Sequence, residues 1–485
     1  MNPITILLIF IAYTSLLFVI AYFTGRRSTN ETYFTGNRNS PWVVVAYGMI
    51  GASLSGVTFI SIPGEVGTSG FAYMVLVLGY LLGYAFIAQV LLPVYYGRKL
   101  TSIYTYLDQR FGPATYKTGA SFFILSRSIG TSFRIFIVVN VLQIFVFDTW
   151  GVPFAVNVAL FMGLILLYTF RGGIKTVVWT DTLQTTFMLA AVVVTIFIIS
   201  KELGLSVGTL IQEARDSQYT RMFFTEINDK RFYLKQFFSG AFIAIVMTGL
   251  DQDMMQKNLT CRNLRDAKKN IYLMSWSLVP VNLLFLFLGA FLFIYAGKMG
   301  IAIPARTDDL FPLLALKHHG AFAGIVFLIG LVAAAYSSAD GSLTALTTSF
   351  SIDILGLDKN KNLTDKQKVM TRMIVHLSFA VFLSGLVVLF RAISDESVIN
   401  KLFTIAGYTY GPLLGLYSFG LFTKRSVNDR LVPAIALLSP VLSYILSINS
   451  AQWFNGYKFG FELLIFNGLI TFMGLLAISK KKQAE

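Results

Sequence analysis

The stretch PWVVVAYGMIGASLSGVTFISIPGEVG, residues 41–67, decides how the chain folds. It is longer than the roughly 20 apolar residues that cross a bilayer as a helix, so it predicts a membrane span. Glycines and the hydroxyl residues Ser53, Ser55 and Thr58 crowd its middle, and Pro63 follows them. Such residues allow close helix packing, and at mid-bilayer they also suit a discontinuous helix whose freed carbonyls bind a cation. We expect a broken helix, with close packing as the alternative.

The rest of the chain shares this apolar character. Of its 485 residues, 55% are hydrophobic and 13% are charged, and the mean hydropathy is +0.67. These values exclude a soluble domain and predict an all-α multi-pass membrane protein with about 13 transmembrane helices. The spans lie near residues 3–24, 41–66, 69–95, 118–146, 153–169, 176–200, 234–258, 271–297, 321–350, 370–391, 398–422, 430–448 and 458–479. No basic segment precedes the first long apolar run, so we expect a retained helix and not a signal peptide.

The formal net charge of +15 is distributed unevenly over the loops. One set of alternate loops is rich in basic residues: Arg26, Arg27, Arg38, Arg98, Lys99, Arg110, Arg171, Lys175, Lys257, Arg262, Arg265, Lys268, Lys269, Lys359, Lys361, Lys366, Lys368, Lys424, Arg425, Lys480, Lys481 and Lys482. The other loops are nearly uncharged or, over residues 201–233 and 298–320, mixed in sign. This bias predicts a cell-membrane protein with its N-terminus outside and its C-terminus in the cytoplasm. It explains the positive charge without nucleic acid as a partner.

The ninth span contains the second unusual stretch, AAAYSSADGSL at residues 333–343. Its hydroxyl residues Ser337 and Ser338 fall near the bilayer midplane, and the carboxylate of Asp340 is costly in lipid, so it is a functional candidate. In the sixth span, Asp181 is either a second such carboxylate or a residue that snorkels at the helix start. Oxygen ligands of this kind suit a hard monovalent cation, so we expect Na⁺ or H⁺ as the coupling ion.

Four ordered motifs carry a resemblance to a known family: RGGIKTVVWTD (171–181), AAAYSSADGSL (333–343), SIPGEVGTSGF (61–71) and GLDQDMMQKNL (249–259). In them the sequence resembles the sodium:solute symporter family, which includes sodium/sugar, sodium/proline and sodium/sialic acid symporters, over nearly the whole chain. The resemblance implies a leucine-transporter-type fold of two inverted five-helix repeats. They would cover residues 41–200 and 234–422, with peripheral helices in residues 3–24 and 430–479.

The resemblance also implies a conserved sodium site. Its ligands would be the backbone carbonyls of Gly51, Leu54 and Ala334 and the hydroxyls of Ser337 and Ser338. The motifs align without gaps at these positions.

A second sodium site is present in only some members of the family. It would use an aspartate matching Asp181 together with hydroxyls in the Ser337 region. This sequence has Asp340 and Gly341 where two further serines would stand. The number of sodium ions per cycle therefore stays open.

The substrate pocket of this fold lies beside the break in the second span. Ser53, Ser55 and Thr58 are therefore its predicted polar lining, unless they are ordinary packing hydroxyls. Arg134, in the fourth span, falls near mid-bilayer with no carboxylate on the same helix. Its position resembles that of the arginine that binds the substrate carboxylate in sialic acid members.

A guanidinium binds a carboxylate through two parallel hydrogen bonds, so Arg134 favours an acidic substrate such as a sialic or sugar acid. Alternatively, Arg134 forms a structural ion pair with Asp251 or Asp253. A neutral sugar then becomes the second interpretation. For a neutral sugar, the candidate aromatic or polar gate residues are Met247, Thr248, Tyr408 and Tyr410. Met247 and Thr248 are also predicted to contact the substrate.

Other classes of function are less well supported by the sequence. No nucleophile–base constellation, metal-ligand pair or phosphate loop favours an enzyme, and Cys261, His318, His319 and His376 are too few and dispersed for a metal cluster. A solute or ion channel would use similar oxygen ligands but needs no occluded site. Saturable uptake against a gradient separates a symporter from a channel.

Overall fold

The computed structural model describes residues 3–25, 29–391 and 398–480, which are mainly helical. They contain one small antiparallel sheet, formed by β1 (Ser426–Val427) and β2 (Ser479–Lys480). Arg26, Arg27, Lys481 and Lys482, which contribute to the predicted charge bias of the loops, lie outside the described residues.

In the part of the chain that the structure describes, fourteen principal helices build the membrane domain. They are α1 (Pro3–Gly25), α2 (Trp42–Ser69), α3 (Ala72–Phe86, continued through Ile87–Leu91 and Leu92–Gly97), α4 (Pro113–Phe145), α5 (Phe154–Glu202), α6 (Tyr233–Ala244, continued through Ile245–Gly249), α7 (Gln252–Asn258), α8 (Leu264–Lys298), α9 (Gly320–Ser349, continued through Phe350–Ile354), α10 (Asp365–Arg391), α11 (Val398–Thr409), α12 (Gly411–Phe422), α13 (Val432–Trp453) and α14 (Leu463–Ala477). Shorter helices in the connections include Asn30–Thr35, Thr105–Arg110, Val207–Asp216 and Leu310–Leu313.

Every predicted span coincides with an apolar helix. Within the described residues, nine helices are long and apolar enough to cross a membrane, and the pair α6 and α7 is a further candidate. Three shorter apolar helices, Phe154–Phe170, Gly411–Phe422 and Leu463–Ala477, lie at the remaining predicted spans. The all-α multi-pass architecture predicted from hydropathy is confirmed.

Helix α2 is discontinuous, as its glycines and hydroxyls predict. Its helical backbone is interrupted at Ser55, which has φ 50° and ψ 173°. A positive φ at a residue other than glycine costs on the order of 1–3 kcal/mol and is found where surrounding structure imposes it. The next residue, Gly56, lies against α4, because a Cβ there would come within 2.8 Å of the Val138 side chain. The break therefore faces α4.

A second discontinuous helix, formed by α6 and α7, was not predicted. The sequence indicates one span over residues 234–258, but the two helices meet at an angle of 69°. Asp251 caps α7, because its Oδ1 accepts hydrogen bonds from the backbone N–H of Asp253 (3.0 Å) and Met254 (3.2 Å). Two broken helices thus stand at the start of the two predicted repeats.

Helix α9 occupies the centre of the bundle. Every residue from Leu331 to Ser349 is buried, and the helix packs along α5, α2 and α4. Helix α5 turns sharply at Gly173 (φ 53°, ψ −140°), so two predicted spans follow each other without a loop. This arrangement directs the hydroxyls and the carboxylate of α9 toward protein and away from lipid.

Candidate substrate and sodium sites

A cavity of about 60 Å³ lies beside the break in α2. It is lined by all six residues that the sequence predicts as solute contacts: Ser53, Ser55, Thr58, Arg134, Met247 and Thr248. The two discontinuous helices contribute five of these side chains and α4 contributes the arginine. The structure therefore brings the predicted contacts together.

Aromatic hydroxyls of α3 complete one wall of the cavity. Tyr73, Tyr80 and Tyr84 line it, the first two hydroxyls lie 3.2 Å apart, and the hydroxyl of Thr248 donates to that of Tyr84 at 3.5 Å. These tyrosines were not among the predicted lining residues, although their i, i+7 and i, i+4 spacing places them on one helix face and was a usable signal. Polar groups on an aromatic wall suit a hydroxylated organic solute.

Arg134 is buried, with 8% of its surface exposed. It forms no hydrogen bond or ion pair with any other described residue, and its Nε is buried without a partner. The predicted alternative of an ion pair with Asp251 or Asp253 is wrong, because Arg127 occupies both carboxylates. An unpaired guanidinium in such a place is costly unless it meets water or an anion.

Of the two tyrosines proposed as gates, neither lines this cavity. The hydroxyl of Tyr410 donates to Oδ2 of Asp251 at 2.6 Å, so it joins the ion pair between that aspartate and Arg127. The ring of Tyr408 instead packs against Tyr444, with ring centroids 6.0 Å apart. The two side chains diverge at the short break between α11 and α12.

The predicted sodium ligands are buried where α2, α5 and α9 meet. The hydroxyl of Ser337 donates to Oδ1 of Asp181 at 2.7 Å, and that of Ser338 donates to the carbonyl of Ala334 at 3.4 Å. Gly51 touches α5 closely, since a Cβ there would lie 2.0 Å from Oγ1 of Thr185. The fifth predicted ligand residue, Leu54, is buried beside the break.

Asp181 does not snorkel toward the membrane surface, because it is fully buried. Its Oδ2 lies 2.9 Å from Nζ of Lys257, which also lies 3.5 Å from Oδ1 of Asp253. Lys257 was counted among the basic loop residues, and that assignment is wrong because its side chain is 1% exposed. This lysine was not among the predicted site residues, although a charge beside an apolar span was a usable signal.

Asp340 has hydrogen-bond donors but no cationic partner within ion-pair distance among the described residues. Its Oδ2 accepts from the hydroxyls of Tyr168 (2.9 Å) and Thr180 (3.3 Å), and its Oδ1 accepts from the backbone N–H of Gly341 (2.6 Å). Asp340 is therefore bonded to Thr180, the neighbour of Asp181, but it forms no ion pair with the lysine that pairs with Asp181.

A much larger cavity, of about 1160 Å³, opens at the end of the bundle that carries residues 226–231 and 305–308. It shares Tyr73 and Phe403 with the inner cavity, so these two side chains stand between them. Charged residues line the large cavity, and the pKa of Asp229 lies below its ordinary value because Arg231 hydrogen-bonds to it at 2.7 Å. The inner cavity is thus approached from this end of the bundle.

Two broken helices around a polar cavity near the middle of a helical membrane bundle define a secondary transporter. A model of the sodium:solute symporter family matches residues 33–430. The chain belongs to this family. It is a multi-pass membrane transporter and not an enzyme, and it moves a small solute together with sodium ions.

Similar proteins agree with this assignment. The chain is 26% identical to the sodium/sialic acid symporter SiaT of Proteus mirabilis (strain HI4320), over 88% of this chain and 87% of that protein. It is 25% identical to the sodium/sialic acid symporter NanT of Aliivibrio fischeri (strain ATCC 700601 / ES114), over 94% and 90% of the two chains. A substrate-bound, outward-open structure of a Na⁺-coupled sialic acid symporter superposes with a TM-score of 0.83 at 20% identity, covering 98% of this chain and 99% of that chain. This likeness establishes the inverted-repeat transporter fold.

Proposed function

We propose that this symporter imports a small carboxylate that carries several hydroxyl groups, such as a sialic acid or another sugar acid. The observation that carries the proposal is Arg134, a buried guanidinium that lines the cavity without an anionic partner among the described residues. A carboxylate bound there would receive two parallel, charge-assisted hydrogen bonds.

Two further features support an acidic sugar. Ser53, Ser55 and Thr58 line the same cavity and offer hydroxyls to a polyhydroxylated ring. Two relatives, each about a quarter identical in sequence, are named sodium/sialic acid symporters. A neutral sugar would use the tyrosine wall and the hydroxyls but would leave the charge of Arg134 unmatched.

A thermal-shift screen of the purified protein tests the proposed solute class. The panel comprises N-acetylneuraminic acid, glucuronic acid, glucose and galactose, each with Na⁺ and with K⁺ in its place. Because a ligand that binds only the folded state raises its stability, an acid of the panel should raise the melting temperature in Na⁺. Stabilisation by a neutral sugar and by neither acid would contradict the proposal.

For sodium, the proposed ligands are the carbonyls of Gly51, Leu54 and Ala334 and the hydroxyls of Ser337 and Ser338. Ser338→Ala should raise the sodium concentration for half-maximal uptake at least several-fold, because the ion loses one oxygen ligand. Uptake into proteoliposomes measures it. As a control, Ser378→Ala removes an exposed hydroxyl that, like that of Ser338, donates to the backbone carbonyl four residues earlier in its own helix. This variant should leave the sodium dependence of uptake unchanged. Unchanged sodium dependence in the Ser338 variant would contradict the ligand assignment.

The proposed orientation places the large cavity on the extracellular face of the cell membrane. Gln452 and Lys366 are exposed residues, and the proposed orientation places the first on the extracellular face of the membrane and the second on the cytoplasmic face. The native Cys261 is buried. In intact cells, a membrane-impermeant maleimide should label Gln452→Cys and not Lys366→Cys, which should react only after permeabilisation. The reverse pattern would invert the topology.

A further inference from the structure

The ammonium group of Lys257 lies in the interior of the bundle, bound to two carboxylates. Its Nζ is 2.9 Å from Oδ2 of Asp181 and 3.5 Å from Oδ1 of Asp253, and all three side chains are 1% exposed. The lysine comes from the discontinuous helix α7 and Asp181 from α5. A buried charge is tolerated when it is paired in this way. The negative charge of Asp181 is therefore balanced by a side chain of another helix.

Without that lysine, Asp181 would have the features of a cation ligand. It is fully buried, its Oδ1 lies 2.7 Å from the hydroxyl of Ser337, and Gly48 of α2 approaches it so closely that a Cβ there would lie 3.0 Å from the Cβ of Asp181. Carboxylate and hydroxyl oxygens are the ligands that hard cations prefer. In a sodium symporter, this position suits an additional sodium ion.

Gly341 leaves the space that the ammonium group uses. A Cβ at this position would lie 2.7 Å from Nζ of Lys257 and 2.6 Å from Oδ1 of Asp253, so any larger residue would displace one of them. Its neighbour Asp340 is held by Tyr168 through a hydrogen bond of 2.9 Å. The local sequence of α9 is thus compatible with a lysine in this place.

The geometry points to Lys257 as a built-in cation that takes the place of a second sodium ion at Asp181, so that one sodium ion moves with each solute. The inference rests on the sodium site proposed above, which would hold that single ion. An ammonium group and a sodium ion within a few ångströms repel each other, so the carboxylate accommodates one of them at a time.

Equilibrium binding of ²²Na⁺ to the purified wild-type protein tests the inference directly. We expect one ion per polypeptide at saturation. Two ions per polypeptide would overturn the inference, because Asp181 would then bind sodium in the presence of the lysine.

Variants test whether the lysine is the cause. Lys257→Met should raise saturation from one ion to two, since Asp181 becomes free to bind sodium, and Lys257→Met/Asp181→Asn should return it to one. If the single variant does not fold, the double variant Lys257→Met/Asp253→Asn replaces it in the test, because it also removes the negative charge of the second carboxylate that pairs with the lysine. This double variant should also bind two ions. The exposed lysine variant Lys366→Met should match the wild type. One ion in the variants that lose Lys257 but keep Asp181 would overturn the inference.

Uptake by the wild-type protein in proteoliposomes tests this inference and the proposed solute separately. With N-acetylneuraminic acid as the probe, the ratio of ²²Na⁺ to solute taken up should be one. Failure to transport this acid, with one ion bound in equilibrium, would refute the proposed solute and leave the role of Lys257 supported. Transport of the acid with a ratio of two would support the proposed solute and overturn the inferred role of Lys257.

Discussion

Replacing Arg134 with glutamine should weaken the binding of N-acetylneuraminic acid by about thirty-fold or more in saturating Na⁺. Loss of one partner in a desolvated, charge-assisted contact costs on the order of 2–5 kcal/mol, and about 1.4 kcal/mol corresponds to a tenfold change in affinity. The large effect is expected because Arg134 has no other anionic partner among the described residues. Isothermal titration calorimetry of the purified protein measures it.

A matched control lies on the same helix. Lys117 is a basic residue of α4 that is exposed near the end of the helix, so Lys117→Gln should leave the affinity unchanged. Sodium binding should persist in the Arg134 variant, and the wild type should bind the methyl ester of the acid far more weakly than the acid. Equal affinity of the acid for the wild type and the Arg134 variant would show that this guanidinium does not recognise the carboxylate.

The two breaks differ in how far the sequence predicts them. In α2 the signal is local, because glycines and hydroxyls surround Ser55 and exclude an ordinary lipid-facing helix. Between α6 and α7 the chain passes from an apolar segment directly to DQDMMQKN, residues 251–258, which has the polarity of a loop end. Hydropathy cannot distinguish a loop from a buried helix that bends by 69°, since only tertiary contacts bury those polar residues.

The charged partners could not be assigned from the sequence for a similar reason. Arg127 and Arg134 are seven residues apart on α4, which places them on nearly the same helix face. Either could reach the aspartates of α7, and the packing of α4 against the bundle selects Arg127. The role of Lys257 depends on its contact with Asp181, which is distant in sequence. Residue type indicated that such charges are functional candidates, and only the fold determines how they pair.

The resulting ion network includes Arg127, which lines the inner cavity and is not among the lining residues of the large cavity. Arg127 joins α4 to Asp251 and Asp253 of the second broken helix, and Nε of Arg127 donates to the hydroxyl of Ser342 on α9 at 2.9 Å. The hydroxyl of Tyr410 donates to Oδ2 of the same Asp251. These contacts tie the start of α7 to α4 and to Tyr410 at the break between α11 and α12, and they tie Arg127 to α9.

Arg127→Met should lower the free energy of unfolding by about 3–5 kcal/mol, because it leaves two buried aspartates without this cation. Unfolding in mixed micelles of dodecyl maltoside and sodium dodecyl sulfate measures the loss. Lys298→Met breaks the pair with Glu213, whose side chains are 41% and 32% exposed, and should cost less than about 1 kcal/mol. If the network acts through charge balance, Arg127→Met/Asp251→Asn should recover part of the loss, because Asp251 has no other cation within ion-pair distance among the described residues, whereas Asp253 keeps Lys257 at 3.5 Å. A loss in the single variant no larger than that of the exposed pair would show that other contacts hold α7 in place.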